Sequence, residues 1–185
     1  SSEKLQQHVS FLYQKGSMYL CSNNTLLFHG CVPLNEQGYL KEIKINGTIY
    51  KGKSFFDYCD QQARNAYFHE DSEAIDFMFY LWSSIDSPLS GRQLKTFERF
   101  FIKDQSMWLE KRNPYYQFYN REECCLSILE EFHMNIKLSH IINGHTPVKC
   151  HETPLRANGK VIIIDGGFCK AYQKETGIAG YTLIS

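Results

Sequence analysis

Two histidines stand in the same setting, one that suits ligand chemistry. His29 follows the apolar run TLLF and precedes Gly30, and His145 follows HIIN and Gly144 and precedes Thr146-Pro147. A histidine at a strand end sits at a sheet edge, where ligands collect, and imidazole nitrogen binds divalent transition metals. Glycine alongside removes a side chain and lets an ion or a phosphate approach the backbone. A lone histidine of this kind is more often structural. Two of them invite a ligand reading, which only the fold can complete, because they lie far apart in the chain.

Other residues admit anion chemistry. Arg92 lies in the loop SPLSGRQ beside Gly91, where a guanidinium can grip phosphate oxygens in a fork; a solvated surface charge is the commoner role. In DGGFCKAYQ, Gly166 and Gly167 close a strand, with Lys170 and Tyr172 just beyond. A glycine-rich turn plus a lysine can hold an anion, although the strand–loop–helix setting of a P-loop is missing. Asp165 reads as a ligand or, more commonly, a turn former. His133 falls near a helix C-terminus, where a solvated or dipole-facing role suits it. His8, His69, His140 and His151 have no convincing partner, and Cys150-His151 is adjacent rather than metal-spaced.

The pattern of apolar residues predicts the elements that position these groups. Residues 8–34 read as strand-rich, with SMYLC and TLLFHGCV divided by a turn at Ser22, Asn23 and Asn24. KEIKINGTIYKG reads as a hairpin about Asn46-Gly47. Ser54 and Asp57 have capping-type spacing before a helix with Phe56, Cys59, Ala63 and Tyr67 on one stripe. A second helix starts at Ser72, with Ile75, Met78, Phe79 and Trp82 on one face. Residues 83–91 read as a loop, TFERFFI is ambiguous and KRNPYYQFYN is irregular. Asn120 and Glu123 bracket a third helix start, with Cys125, Ile128, Leu129 and Phe132 as its buried stripe. Val161 to Ile164 read as a buried central strand, and GYTLIS as a last one. The expectation is an α/β fold. Its sheet comes from residues near 17–32, 139–148, 160–166 and 180–185, with helices near 55–69, 73–83 and 121–134.

Composition narrows the classes. The 185 residues fit one domain, and 43% are hydrophobic and 22% charged, as in ordinary globular chains. Lys plus Arg equals Asp plus Glu at 20 each, so no basic footprint points to nucleic acid. No apolar run reaches membrane-spanning length, and the N-terminal SSEKLQQHVS is no signal peptide. Seven cysteines without a C-x-x-C pair argue against a disulfide framework or zinc ribbon and for a reducing cytoplasm, with Cys124 and Cys125 as buried thiols.

HVSFLYQKGSMYL, LLFHGCVPL, NPYYQFYN, HIINGHTPVK and VIIIDGGFCKAYQKETGIAGYTLI together resemble the class III fructose-1,6-bisphosphatases of bacteria, in order and over essentially the whole chain. That family falls among the calcineurin-like metallophosphatases. The resemblance implies the C-terminal half of a calcineurin-like sandwich, a mixed sheet with a helical insert, over residues 1–185. It implies a sugar bisphosphate as substrate, hydrolysed at the 1-phosphate in gluconeogenesis, with manganese in a dinuclear site. LFHGCVPL resembles the superfamily's histidine–glycine motif and INGHTPVK its later Gly-His motif, which makes His29 and His145 the implied metal ligands. LWSSIDSPLSGRQ resembles the segment supplying a phosphate-binding base, here Arg92. DGGFCKAYQ resembles a loop over the active site, with Lys170 and Tyr172 as implied substrate contacts.

The motifs GDxHG, GDxxDRG and GNHE, which carry the remaining ligands and the acid, occur nowhere in the 185 residues. The expectation is therefore a fragment, inactive alone, that binds manganese poorly and self-associates through the face left exposed, with no nucleic acid or membrane as partner. Two alternatives stand beside it. One is a phosphoprotein or dinucleoside-polyphosphate phosphatase of the same superfamily, and the other a non-catalytic half-domain that binds a partner.

Overall fold

The computed structural model describes residues 2–177 and 181. The chain opens with helix α1 (Glu3–Lys15) and strands β1 (Tyr19–Ser22) and β2 (Thr25–Phe28), followed by the hairpin β3 (Ile43–Ile45) and β4 (Thr48–Tyr50). Helices α2 (Gly52–His69), α3 (Ser72–Ser83), α4 (Thr96–Phe101), α5 (Tyr115–Phe118) and α6 (Glu122–Glu131) come next. The chain then returns to β structure in β5 (His140–Asn143), β6 (Leu155–Arg156) and β7 (Val161–Ile163), and α7 (Gln173–Thr176) follows. The fold is mixed α/β. The final predicted strand, GYTLIS, lies almost wholly outside the described residues.

The main sheet has the order β1-β2-β5-β7-β6. β1 and β2 are antiparallel, β2, β5 and β7 run parallel, and β6 returns antiparallel to β7. Asn23 and Asn24, at φ 47° and 58°, close the first hairpin, and Asn46-Gly47, at φ 48° and 85°, close the second. Two successive positive φ angles match the right-handed twist of the strands they join, and asparagine and glycine tolerate them.

One sheet face carries the core. Leu26, Phe28, Ile141, Val161 and Ile163 point into it, against Phe56 of α2 and Ile128 and Leu129 of α6. Phe28 meets the rings of Phe56 and Tyr115 edge-on, at 5.9 and 5.8 Å between centroids. The other face bears one apolar row that crosses all five strands in register: Leu20, Leu27, Ile142, Ile162 and Leu155. Leu20 is 55% exposed and Leu155 49%.

Five expectations need correction. Residues 3–15 are helical, not part of a strand-rich segment: Glu, Lys, Leu and Gln dominate, and helix propensity is high there although the helix buries nothing. Ile75, Phe79 and Trp82 of α3 face solvent, at 49%, 60% and 44% exposed, whereas the buried side presents Ala74 and Leu81. An almost uniformly apolar helix offers several stripes, and the one that docks is decided by α2. Val161–Ile163 lie inside the sheet, but Ile162 is half-buried and Ile164 is 39% exposed, because only one face is covered. Cys124 is half-buried rather than buried. The helix expected from Ser54 begins at Gly52, with the Ser54 hydroxyl accepting from the Lys51 N–H at 3.0 Å and donating to its carbonyl at 2.8 Å.

The residues after β2 are strapped to the loop that follows α3. The Gly30 and Cys31 N–H groups both donate to the Pro88 carbonyl, at 3.0 and 3.2 Å. A Cβ on Gly30 would fall 2.6 Å from the Pro88 oxygen and 2.6 Å from the Leu89 carbonyl carbon. Backbone on the far side cannot swing away. Gly30→Ala is expected to cost about 1–3 kcal/mol, the range of a forced overpacking, measured as a shifted urea midpoint at unchanged slope.

Candidate metal centre

The parallel strands bring the two histidines to one place. Register pairs Phe28 with Asn143 and Asn143 with Ile163, so β2, β5 and β7 end at a common edge. His29 follows directly on β2, His145 comes two residues after β5, and Asp165 two after β7. The Gly144 N–H donates to the His29 carbonyl at 3.0 Å and carries the ladder one step past the strands. His145 Nδ1 lies 3.3 Å from His29 Nε2, with the rings edge-on at 5.2 Å between centroids.

Neighbouring residues fix this arrangement. Asn143 is buried and its amide donates to the Gly30 carbonyl at 3.0 Å, while its Oδ1 has no partner among the described residues. A Cβ on Gly144 would stand 3.7 Å from both His29 Nδ1 and Asp165 Oδ2, so the glycine fills the gap between an imidazole and a carboxylate. His145 has φ 63°, a conformation that costs a non-glycine residue about 1–2 kcal/mol. Burial holds the His145 pKa below its usual value, helped by the charges of His29, Arg92 and Arg112 and opposed by Asp165. The direction of that shift favours the uncharged imidazole.

Arg92 sits on the strapped loop with its Nη1 3.6 Å from Glu110 Oε2. Asn113 ties that loop down. Its Oδ1 accepts from the Leu34 and Tyr115 N–H groups at 3.1 and 3.0 Å, and its amide donates to Asp86 at 3.0 Å. Tyr116 donates its hydroxyl to the Ser90 carbonyl at 2.7 Å. Lys170 and Tyr172 are exposed, and neither side chain reaches His29, His145 or Arg92 by a hydrogen bond or ion pair among the described residues. Reasoning from sequence passed over Asn113, Tyr116 and Asn143. The Asn-Pro step was the one local cue, to a turn rather than to a polar hub.

Two imidazole nitrogens 3.3 Å apart suit neighbouring ligand positions on one small divalent ion, for which tetrahedral bonds of about 2.1 Å put ligands ~3.4 Å apart. Among the described residues no third His, Cys, Asp or Glu joins them in a group able to hold a metal. The chain thus presents a mixed α/β domain whose adjacent parallel strands end in a close pair of imidazoles. The family model described as Firmicute fructose-1,6-bisphosphatase matches residues 1–185, and the chain belongs to that family. The fructose-1,6-bisphosphatases class 3 of Clostridium botulinum (strain Loch Maree / Type A3) and of Clostridium novyi (strain NT) are each 53% identical to it over 192 residues. Each match covers 100% of this chain and 29% of the relative, so the chain spans under a third of the length of the curated relatives it matches. No solved structure matches it. No helix among the described residues is long and apolar enough to cross a membrane.

Zinc added to the chain is expected to shift the ring resonances of both His29 and His145, and His145→Ala to remove the response at His29. His145→Gly should remove it too, yet raise stability in urea by about 1 kcal/mol by relieving the positive φ. Unchanged stability in His145→Gly would show that the conformation carries no strain.

Proposed function

We propose that residues 1–185 form the C-terminal part of the catalytic domain of a sugar bisphosphatase, acting on fructose 1,6-bisphosphate through a dinuclear metal site. The observation that carries this reading is the His29–His145 nitrogen pair at adjacent parallel strand ends, in a chain of the fructose-1,6-bisphosphatase family. The calcineurin-like sandwich is part of the proposal. Its support is the apolar row on the open sheet face, which suits a second layer supplied by a longer polypeptide. Seven free cysteines support a cytoplasmic setting.

Bound divalent ions would supply Lewis acidity and lower the pKa of a bound water. His29 and His145 hold one edge of that site, both through ring nitrogens that the strand ends fix in place. Arg92 meets charge on the phosphoryl oxygens, and its loop is held by Gly30, Asn113 and Tyr116, so little reorganisation is needed as charge develops. Lys170 and Tyr172, on the segment beyond β7, are the proposed contacts to the sugar phosphate. Manganese, a hard ion, prefers carboxylate oxygen, which the two imidazoles do not provide.

The chain alone is therefore expected to release no phosphate from fructose 1,6-bisphosphate with manganese, and to bind zinc or nickel in preference to it. A longer polypeptide carrying this chain should release phosphate, and His145→Ala should lower that rate by at least about a hundredfold. Turnover by the 185-residue chain itself would overturn the ligand count.

The open sheet face is expected to drive self-association of the isolated chain. Sedimentation of a Leu20→Lys, Leu155→Lys double variant should show monomer where the unmodified chain shows larger species, with little loss of stability because both side chains are half exposed already.

A further inference from the structure

Arg92 and Arg112 face each other as an isolated antiparallel pair. The Gln93 N–H donates to the Lys111 carbonyl at 2.9 Å, and the Asn113 N–H to the Gly91 carbonyl at 2.8 Å. Hydrogen bonds that flank a pair rather than join it mark the closer antiparallel pairing, with Cα atoms about 4.5 Å apart. Two guanidinium side chains therefore leave the backbone side by side. Like charges placed directly opposite repel, so the arrangement costs stability unless an anion offsets it.

The anions present do not balance the cations. Glu110 lies 3.6 Å from Arg92 and 3.5 Å from Arg99, so one carboxylate serves two guanidinium groups. Arg112 is exposed, and its side chain has no ion pair or hydrogen bond among the described residues. The loop that bears Arg92 is strapped by its Pro88 carbonyl to Gly30, the residue after His29, which sets the pair beside the histidine edge. The Tyr116 ring packs where Gly91 lacks a side chain, 2.9 Å from its Cβ position, directly before Arg92.

We propose that Arg112 joins Arg92 in a two-arginine anion subsite beside the histidine pair, taking a phosphate monoester dianion. Arg112 supplies the open fork, and Arg92, steadied by Glu110, supplies the second charge. A phosphate has oxygens enough to accept from both at once, and its charge removes the repulsion between them. The assignment rests on the phosphatase reading for its ligand class, and Arg112 was not singled out by any sequence motif.

Inorganic phosphate titrated into the chain, followed by the arginine Nε–H resonances, tests this without any turnover. Arg112→Ala is expected to weaken phosphate binding about tenfold, and Arg112→Lys to recover only part of it, because a lysine offers a point charge and no fork. Lys44→Ala, on the exposed side of the β3–β4 hairpin, serves as the control and should bind as the unmodified chain does. Phosphate binding that is unchanged in Arg112→Ala, or lost equally in Lys44→Ala, overturns the subsite. The bisphosphatase reading fails separately, if a longer polypeptide carrying this chain binds phosphate through both arginines yet releases none from fructose 1,6-bisphosphate.

Discussion

The parallel pairing of β2 with β5 is the constraint on which the rest depends. It matches Phe28 with Asn143, and so sets His29 and His145 side by side across a gap of 3.3 Å between ring nitrogens. Side chains alternate along a strand, so a slip of one residue would turn Leu26 and Phe28 out of the core. The core thus defends the register, and the register defends the site. The Asn143 amide bonded to the Gly30 carbonyl and the Gly144 N–H bonded to the His29 carbonyl extend the same ladder past the strands. The loop that carries Arg92 docks there through its Pro88 carbonyl, and Asp165 stands two residues past the end of β7.

Much of the fold was legible because its signals were local. Asn46-Gly47 closes a hairpin as its chemistry demands, and the β-branched run at Val161 pairs inside the sheet. The stripe Cys125, Ile128, Leu129 and Phe132 is buried as its spacing indicates. The errors came where tertiary partners decide. Helix α1 buries no residue fully, and its link to the body is a long-range one, Tyr13 stacked on Tyr67 and Arg64 donating to the Gly16 carbonyl, which the local pattern did not announce. Helix α3 is apolar nearly all round, and packing on α2 selected Ala74 and Leu81 over the Ile75–Phe79–Trp82 stripe. The site was legible in its histidines, each flagged by a strand end and a glycine. It was not legible in Asn113 and Asn143, whose roles lie in long-range hydrogen bonds that no sequence pattern encodes. Nor was it legible in Arg112, whose importance comes from the residue opposite.

The sheet has unequal faces. One is packed with Phe28, Phe56 and Tyr115 in edge-on contact. The other presents an apolar row from Leu20 to Leu155 and a groove of about 410 Å³ that runs past Met18, Leu27 and Ile142 to His29. A sheet apolar on both sides reads as one that expects cover on both. The open face therefore abuts the edge that bears His29, and whatever covers the row also walls one side of the histidine pair. Charge is uneven on this edge as well: Arg92 and Arg112 stand paired on the strapped loop, and Asp165 faces His29 across Gly144.

The long excursion between β2 and β5 leaves and returns at neighbouring strands. Residues 30–139 hold the β3–β4 hairpin and five of the helices, yet the spacing of His29 and His145 is set by a ladder of four residue pairs that this excursion does not enter. Its outer parts can therefore change in length or composition without moving the two histidines. Its contact points at Gly30, Asn113 and the strapped loop are constrained, and so are Phe56, Tyr115, Ile128 and Leu129, which pack beneath the sheet. The exposed aromatic segment around Phe100 and Phe101 stands apart from that ladder, but Arg99 beside it shares Glu110 with Arg92, so a change there reaches the strapped loop through one carboxylate.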